Sequence, residues 1–265
     1  MIQKTALVTG ATDGIGKETA RALAAKGYRV LVHGRSAEKA TLSCEDLGAG
    51  EPVFADLSKL AEVRALAEQV AKLTSTLDVL VNNAGLFAHE HTLTADGFEL
   101  TMAVNHFAPF VLTHRLLPLL EATPGARAVH VSSVAHQRGR LDPQSLDFTK
   151  GFEGYSVYAA SKLANVLFSN AMAHRSKTTH ASLHPGVIST KLLKSGFGIS
   201  GASVAEGAKT SVHVATSPTL EGITGKYFSD ERETRPSALA RDEALAEALY
   251  AVSAQRTGET PLPKR

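Results

Sequence analysis

The chain has 265 residues, 43% hydrophobic, 20% charged and 6% aromatic, which excludes intrinsic disorder and collagen-like structure and suffices for one large α/β domain with a substantial core. Lys plus Arg number 28 against 26 Asp plus Glu, so a net charge of +2 exerts no broad pull on nucleic acid or an anionic membrane, and neither is expected as a partner. Cys44 is the single cysteine, no secretory apolar stretch follows Met1, and the longest apolar run is broken by Pro109, His114, Arg115 and Pro118, so a cytoplasmic chain without disulfide or membrane span is expected.

In chain order, a short apolar strand is predicted over 5–8. A glycine turn follows, then a helix to Gly27 with Ile15, Thr19, Ala22 and Leu23 at helical spacing. Strands over 29–32 and 52–54 flank a helix over 37–47, and the next helix, 59–73, carries Leu60, Val63, Leu66 and Val70 on one side. A strand over 78–81 precedes a long helix over 95–120, with a bend near Pro109. Then come a strand over 128–131, a long helix over 155–174, a strand over 181–184, a helix over 203–216, a last strand over 225–228 and a closing helix over 237–252. Continuous apolar strands alternating with amphipathic helices predict a doubly wound α/β fold, a parallel sheet covered on both faces, as a single domain over 1–256. Segments 134–154 and 191–202 break the rhythm and are candidate substrate loops. The tail 257–265, with Pro261 and Pro263, is expected to be mobile.

Directly after the first strand stands Thr9-Gly10-Ala11-Thr12-Asp13-Gly14-Ile15-Gly16. Glycine lets the backbone turn sharply and approach a ligand, while the helix N-terminus offers free N–H groups and partial positive charge to a phosphate. A pyrophosphate seat is one reading, and an ordinary glycine-rich turn is the other. The spacing T-G-x-x-x-G-x-G resembles the short-chain dehydrogenase/reductase family, and further motifs of that family appear in order: Asn82-Asn83-Ala84-Gly85, Asn105, Ser132-Ser133, Tyr158-Ala159-Ala160-Ser161-Lys162 and His184-Pro185-Gly186. The resemblance spans nearly the whole chain and implies a Rossmann-type sheet. Within the family, Ser132-Ser133-Val134-Ala135-His136 and 161–168 are similar to the retinol dehydrogenase branch.

Tyr158 and Lys162 lie four apart, so a helix projects both from one face, where an ammonium favours the phenolate of a tyrosine that ordinarily titrates near 10. What the resemblance implies goes further. Tyr158 protonates a carbonyl oxygen as hydride arrives from the nicotinamide, and Lys162 also holds the ribose. Ser133, with Ser132 as its rival, bonds the substrate oxygen, and Asn105 completes a proton relay. The expected cofactor contacts are Gly10, Thr12, Asp13, Gly14, Ile15 and Gly16 on the pyrophosphate, Asp56 and Leu57 on adenine, and Asn83, Ala84 and Gly85 along the ribose. Pro185, Gly186, Ile188 and Thr190 complete the set beside the carboxamide.

At the end of the second strand, where an acid would select NAD, Gly34-Arg35-Ser36 offers a cationic fork and a hydroxyl, favouring NADP; an Arg stacked on adenine, tolerating either cofactor, is the alternative. His89-Glu90-His91 lacks the spacing of a metal site, and no metal is expected. The expectation is an NADP-dependent carbonyl reductase or alcohol dehydrogenase, its alternative a non-catalytic dinucleotide-binding sensor or scaffold. Its substrate is a small carbonyl compound or alcohol, apolar or aromatic, held among Leu86, Phe87, Leu141, Phe148, Phe152, Leu192, Leu193 and Phe197, with His89, His91 and His136 at the mouth. The resemblance also implies a dimer or tetramer formed through the two long helices.

Overall fold

The computed structural model describes residues 3–265; Met1 and Ile2, the first residues of the domain expected over 1–256, lie outside the described residues. In chain order the elements are β1 (Thr5–Val8), α1 (Gly14–Ala25), β2 (Arg29–Gly34), α2 (Ala37–Leu47), β3 (Glu51–Phe54), α3 (Leu60–Leu73), β4 (Val79–Asn82), α4 (Leu100–Met102), α5 (Ala108–Glu121), β5 (Arg127–Val131), α6 (Gly154–Ala173), β6 (Thr179–His184), α7 (Lys191–Phe197), α8 (Val204–Thr216), β7 (Lys226–Ser229), β8 (Arg232–Glu233) and α9 (Glu243–Thr257). The strands form one sheet in the order β3-β2-β1-β4-β5-β6-β7-β8. All neighbours are parallel except β8, which runs antiparallel to β7. This is the doubly wound, Rossmann-type sheet expected from the alternation of elements.

The reason the strands are apolar throughout is that each face packs its own layer. Leu7, Leu31 and Leu80 point into a core shared with α3, α5 and α6. Their neighbours Ala6, Val8, Val30, Val32, Val79 and Val81 pack on the opposite side with Leu23 of α1 and Val214 of α8. Each fully buried Leu or Val contributes about 1.5–3 kcal/mol from leaving water, so period-2 alternation disappears wherever both faces are covered. Strand order reverses between β1 and β4, and a crevice opens at the carboxyl ends of the strands there.

Four departures from the sequence expectation have local causes. The helix predicted from residue 95 begins at Leu100, because Thr94 and Phe98 close a tight turn over Gly97 (φ +79°) and Glu99 then caps α4 by accepting the Met102 N–H at 2.8 Å. The bend expected near Pro109 takes the form of a π-helical turn at Ala103–Phe107 that runs directly into α5; the backbone stays helical through Phe107 and Ala108, so Pro109 withholds an N–H from the turn just before it. The segment 191–202 contains α7, capped by the Thr190 hydroxyl and closed by Gly198 at φ +63°. The closing helix starts at Glu243, where the Asp242 carboxylate caps it, and runs five residues further than expected.

The tail expected to be mobile makes specific contacts with the body of the domain. Glu259, 7% exposed, pairs with Arg64 at 3.1 Å and Arg115 at 2.8 Å, the Leu262 N–H donates to the Tyr250 hydroxyl at 2.8 Å, and the Arg265 N–H donates to the His174 carbonyl at 2.8 Å. Together with α9, which packs along α6, this tail covers the outward side of the two long helices.

Candidate active site

A cleft of about 840 Å³ runs over the carboxyl ends of β1, β2, β4, β5 and β6. Its floor begins at the glycine turn. Gly10 sits at φ +64°, and a Cβ there would lie 2.9 Å from the Ala84 backbone; a Cβ on Gly16 would meet the Gly10 carbonyl oxygen at 2.3 Å. These contacts demand glycine and bring the turn against the end of β4. Thr9 fastens the two together, its hydroxyl donating to the Val81 carbonyl at 3.2 Å and accepting the Asn83 and Ala84 N–H groups at 2.9 and 3.0 Å. Asn83 returns a bond from Nδ2 to the Thr9 carbonyl at 2.8 Å. Asp13 caps α1 through the Gly14 N–H at 2.8 Å and forms a 2.5 Å ion pair with Lys191 across the cleft. That lysine bond, more than burial opposes it, holds the Asp13 carboxyl below its ordinary range.

On the β2 side the wall holds His33, Arg35, Lys39, Ala55, Asp56, Leu57 and Ser58. Ser36 does not line the cleft: its hydroxyl caps α2 by accepting the Lys39 N–H at 3.4 Å. Lys39 joins Arg35 on the wall instead, a cation that sequence reading missed although it lies one helical turn beyond Arg35. His33 was missed as well, and nothing in its neighbourhood of the sequence signals a role. Burial opposes ionisation of Asp56, yet hydrogen bonds from the Ser58 N–H and hydroxyl at 3.0 and 2.8 Å, with Lys59 and Arg35 nearby, keep its carboxyl below the usual range.

The other end of the cleft gathers Ser133, Tyr158 and Lys162. Ser132 and Ser133 both border the cleft, but the Ser132 hydroxyl, buried, donates to the Lys162 carbonyl at 2.6 Å and fixes α6 to the end of β5, whereas the Ser133 hydroxyl faces Tyr158. Tyr158 is 6% exposed, and burial pushes its phenol up to about 12, the Ser133 hydroxyl acting in the opposite direction. Burial, rather than the lysine, sets the direction at this phenol, contrary to the expectation from the Tyr158–Lys162 spacing. Lys162 Nζ lies 5.6 Å from the Tyr158 ring centre and donates to the Val131 carbonyl at 3.0 Å; desolvation brings the ammonium down to about 8. Asn165, one turn on, donates to the same Val131 carbonyl at 3.1 Å.

Asn105 is fully buried behind this wall, in the π-helical turn. Its Oδ1 accepts the Leu86 N–H at 2.8 Å, and Nδ2 donates to the Leu86 carbonyl at 3.0 Å and the Ser161 hydroxyl at 2.9 Å. Only Gly85 separates it from the cleft: a Cβ there would stand 3.3 Å from both Asn105 Oδ1 and Lys162 Nζ. Pro185, Gly186, Ile188 and Thr190 line the side formed after β6, with Thr190 against Gly14.

The apolar wall differs from expectation. Leu86, Leu192, Leu193 and Phe197 line the cleft, and Phe87 packs at 5.8 Å from Tyr158 and 5.3 Å from Phe197. Leu141, Phe148 and Phe152 instead pack against the core, so that of the long insertion only Val134, Ala135, Gln137 and Arg138 reach the wall. Of the three histidines expected at the mouth, His89 is exposed and packs edge-on against Phe87 at 5.0 Å, whereas His136 is buried between the Ser133 carbonyl (2.7 Å) and the Ser237 N–H (3.2 Å), and His91 bonds the Asp147 carbonyl at 2.8 Å.

Comparison with known proteins gives a concordant picture. The family described as short chain dehydrogenase matches residues 4–197. The chain is 39% identical over 274 residues to retinol dehydrogenase 12 of Bos taurus, spanning 96% of this chain and 86% of that protein. It is 37% identical over 281 residues to retinol dehydrogenase 13 of Mus musculus, spanning 96% and 84%. An uncharacterized protein from Mycobacterium Paratuberculosis is similar in structure with a TM-score of 0.84 at 32% identity, over 98% of this chain and 95% of that one. A short chain dehydrogenase from Escherichia coli CFT073, complexed with NADPH, gives a TM-score of 0.69 at 26% identity over 85% and 95%.

Proposed function

We propose, on the premise that this chain belongs to the short-chain dehydrogenase/reductase family, that it is an NADP(H)-dependent oxidoreductase interconverting an apolar or aromatic carbonyl compound and its alcohol. The residues present fit such a cofactor. Gly10 and Gly16 let the turn close tightly on itself and against the end of β4, the α1 N-terminus opens into the cleft beside it, and Arg35 and Lys39 set two cations on the wall for a 2′-phosphate. When bound, NADP(H) supplies the two-electron equivalent for the reaction.

The chain's own contribution is proton management. With its phenol up at about 12, Tyr158 is protonated at neutral pH, the form that gives a proton to a developing alkoxide. Ser133 lines the same patch and offers a hydroxyl to the substrate oxygen. Lys162, cationic below about 8, stabilises the phenolate left behind and holds the ribose side of the cleft. Leu86, Leu192, Leu193 and Phe197 exclude water around the reacting centre and select an apolar body.

The observation that carries this reading is the convergence of Ser133, Tyr158 and Lys162 on one buried patch of the cleft wall. Tyr158→Phe is expected to lower kcat/KM by roughly 10²–10⁴ while leaving the Kd for NADPH nearly unchanged, because only the proton donor is removed. Retained turnover in that variant would refute the assignment. Comparing kcat/KM for NADPH and NADH tests the cofactor separately: a preference for NADH contradicts the role given to Arg35 and Lys39.

A further inference from the structure

His33 is a buried imidazole, 3% exposed, wedged between two turns of the cleft wall. Its Nδ1 accepts the Gly10 N–H at 3.1 Å, and its Nε2 lies 3.1 Å from the Ala55 carbonyl oxygen. An amide N–H only donates and a carbonyl oxygen only accepts, so the two partners specify one tautomer, Nδ1 bare and Nε2 protonated. Gly10 opens the phosphate-side turn after β1, and Ala55 opens the turn after β3 that carries Asp56 and Leu57. The ring is thus a strut of fixed length between the two halves of the adenosine end of the cleft.

The surrounding contacts reinforce the strut. The His33 carbonyl accepts the Ala11 N–H at 2.9 Å, the Ser43 hydroxyl donates to the Ala11 carbonyl at 2.9 Å, and the Ala55 N–H donates to the Gly34 carbonyl at 3.1 Å. Gly34 admits the Thr12 methyl, which a Cβ would meet at 2.7 Å. Burial, opposed only in part by the Ala55 bond, pushes the imidazole down to about 4, so the ring is neutral at physiological pH and its Nδ1 lone pair remains available to Gly10. With the Gly10 and Ala11 N–H groups both occupied by His33, the turn presents its later amides, from Thr12 onward, to an anion.

We infer that His33 is a positioning residue: by bridging the Gly10 and Ala55 turns it sets the spacing of the adenosine-phosphate end of the cleft, and with it the affinity for the dinucleotide. This rests on the reading of the cleft as an NADP(H) site. Removing the ring leaves the Gly10 N–H and Ala55 carbonyl without their buried partner and frees the two turns to shift apart.

The experiment is calorimetric titration of NADP⁺ into the wild type, His33→Leu and His33→Asn, with steady-state kinetics and ¹⁵N NMR of the imidazole. His33→Leu is expected to raise Kd by about tenfold, on the scale of one lost buried hydrogen bond, with the loss falling on KM for the cofactor rather than on kcat. His33→Asn, whose Oδ1 stands where Nδ1 did but whose amide stops short of Ala55, is expected to keep the Gly10 contact alone and to give a Kd between those of wild type and His33→Leu, a graded outcome that a loss of general stability would not produce. NMR of the wild type is expected to show a neutral ring protonated at Nε2. Equal Kd values for wild type and His33→Leu, a loss confined to kcat, or an Nδ1-protonated ring overturns the inference; should His33→Leu not fold, the Asn variant and the wild-type spectrum still decide it. If the wild type binds neither NADP⁺ nor NAD⁺, it is the functional reading that falls.

Discussion

Lys162 shows how directly chemistry and stability oppose each other at single residues. Its ammonium is buried with one backbone carbonyl as partner, and a fall from 10.5 to about 8 corresponds to about 3 kcal/mol of unfavourable desolvation. The sign follows from the lowered value: the folded protein binds the proton less well than the unfolded chain, so the cost is full below pH 8 and is relieved as pH rises from 8 toward 10.5. Lys162→Met is therefore expected to raise the apo protein's Tm by several degrees at pH 7 while abolishing turnover, and calorimetry beside a kinetic assay checks both. For the same reason, kcat/KM for carbonyl reduction is expected to hold level from pH 6 to 8 and decline above it, as Lys162 loses its charge while Tyr158 keeps its proton. Gly16→Ala acts by a different route: the added methyl would lie 2.3 Å from a backbone oxygen, so the turn must open, and NADP⁺ binding is expected to vanish in a titration even if the variant folds. At this scale the sequence was informative wherever a motif named the residue, as for Tyr158 and Gly16. It was silent where the role comes from a fold-dependent neighbour, as with His33 between two turns or Lys39 beside Arg35.

Among elements, the helix carrying Asn105 and the short α7 were the least legible. A 3.6-residue pattern tolerates a single extra residue per turn, so the π-helical turn at Ala103–Phe107 leaves no mark on the apolar periodicity. Within that turn Asn105 takes both backbone groups of Leu86 and ties them through Ser161 to the Tyr158 carbonyl, a network visible only in three dimensions. Asn105→Ala should cost about 1–3 kcal/mol in denaturant unfolding and lower kcat more than it raises the cofactor KM, since it strands two buried backbone groups next to the catalytic helix. The segment of α7 looked like a loop because of Ser195, Gly196 and Gly198, yet its caps, Thr190 and Gly198, were in plain view. None of its residues is buried, and it leans on Phe87, Tyr155 and Tyr158 through Phe197 and on Asp13 through an exposed ion pair. Hydrogen exchange should accordingly be faster in α7 than in α1 or α6, and slow when NADP⁺ is added.

For the molecule as a whole, the alternation of apolar strands and amphipathic helices was enough to give the sheet, since seven parallel strands between two helical layers permit few other arrangements. The short antiparallel β8 and the docking of residues 258–265 were not legible, because the first is two exposed residues and the second depends on Arg64 and Arg115, far away in sequence. The interior also holds an unusual number of neutral imidazoles. Burial drives His33 and His184 down to about 4 and His106 and His130 to about 3, and pushes His180 far below its ordinary value. The unfolded chain takes up these protons near 6.5 and the folded one does not, so stability is expected to drain away as pH falls below 6.5, ending in cooperative unfolding near pH 4 to 5 that circular dichroism would follow.

The cover laid over the long helices has a practical corollary. Their outward side is already clothed by α9 and residues 258–265, through Tyr250 against Phe110 and His114 and Glu259 against Arg115. Turnover per molecule should then stay constant on serial dilution to nanomolar levels, and the sedimenting species should be a solitary particle.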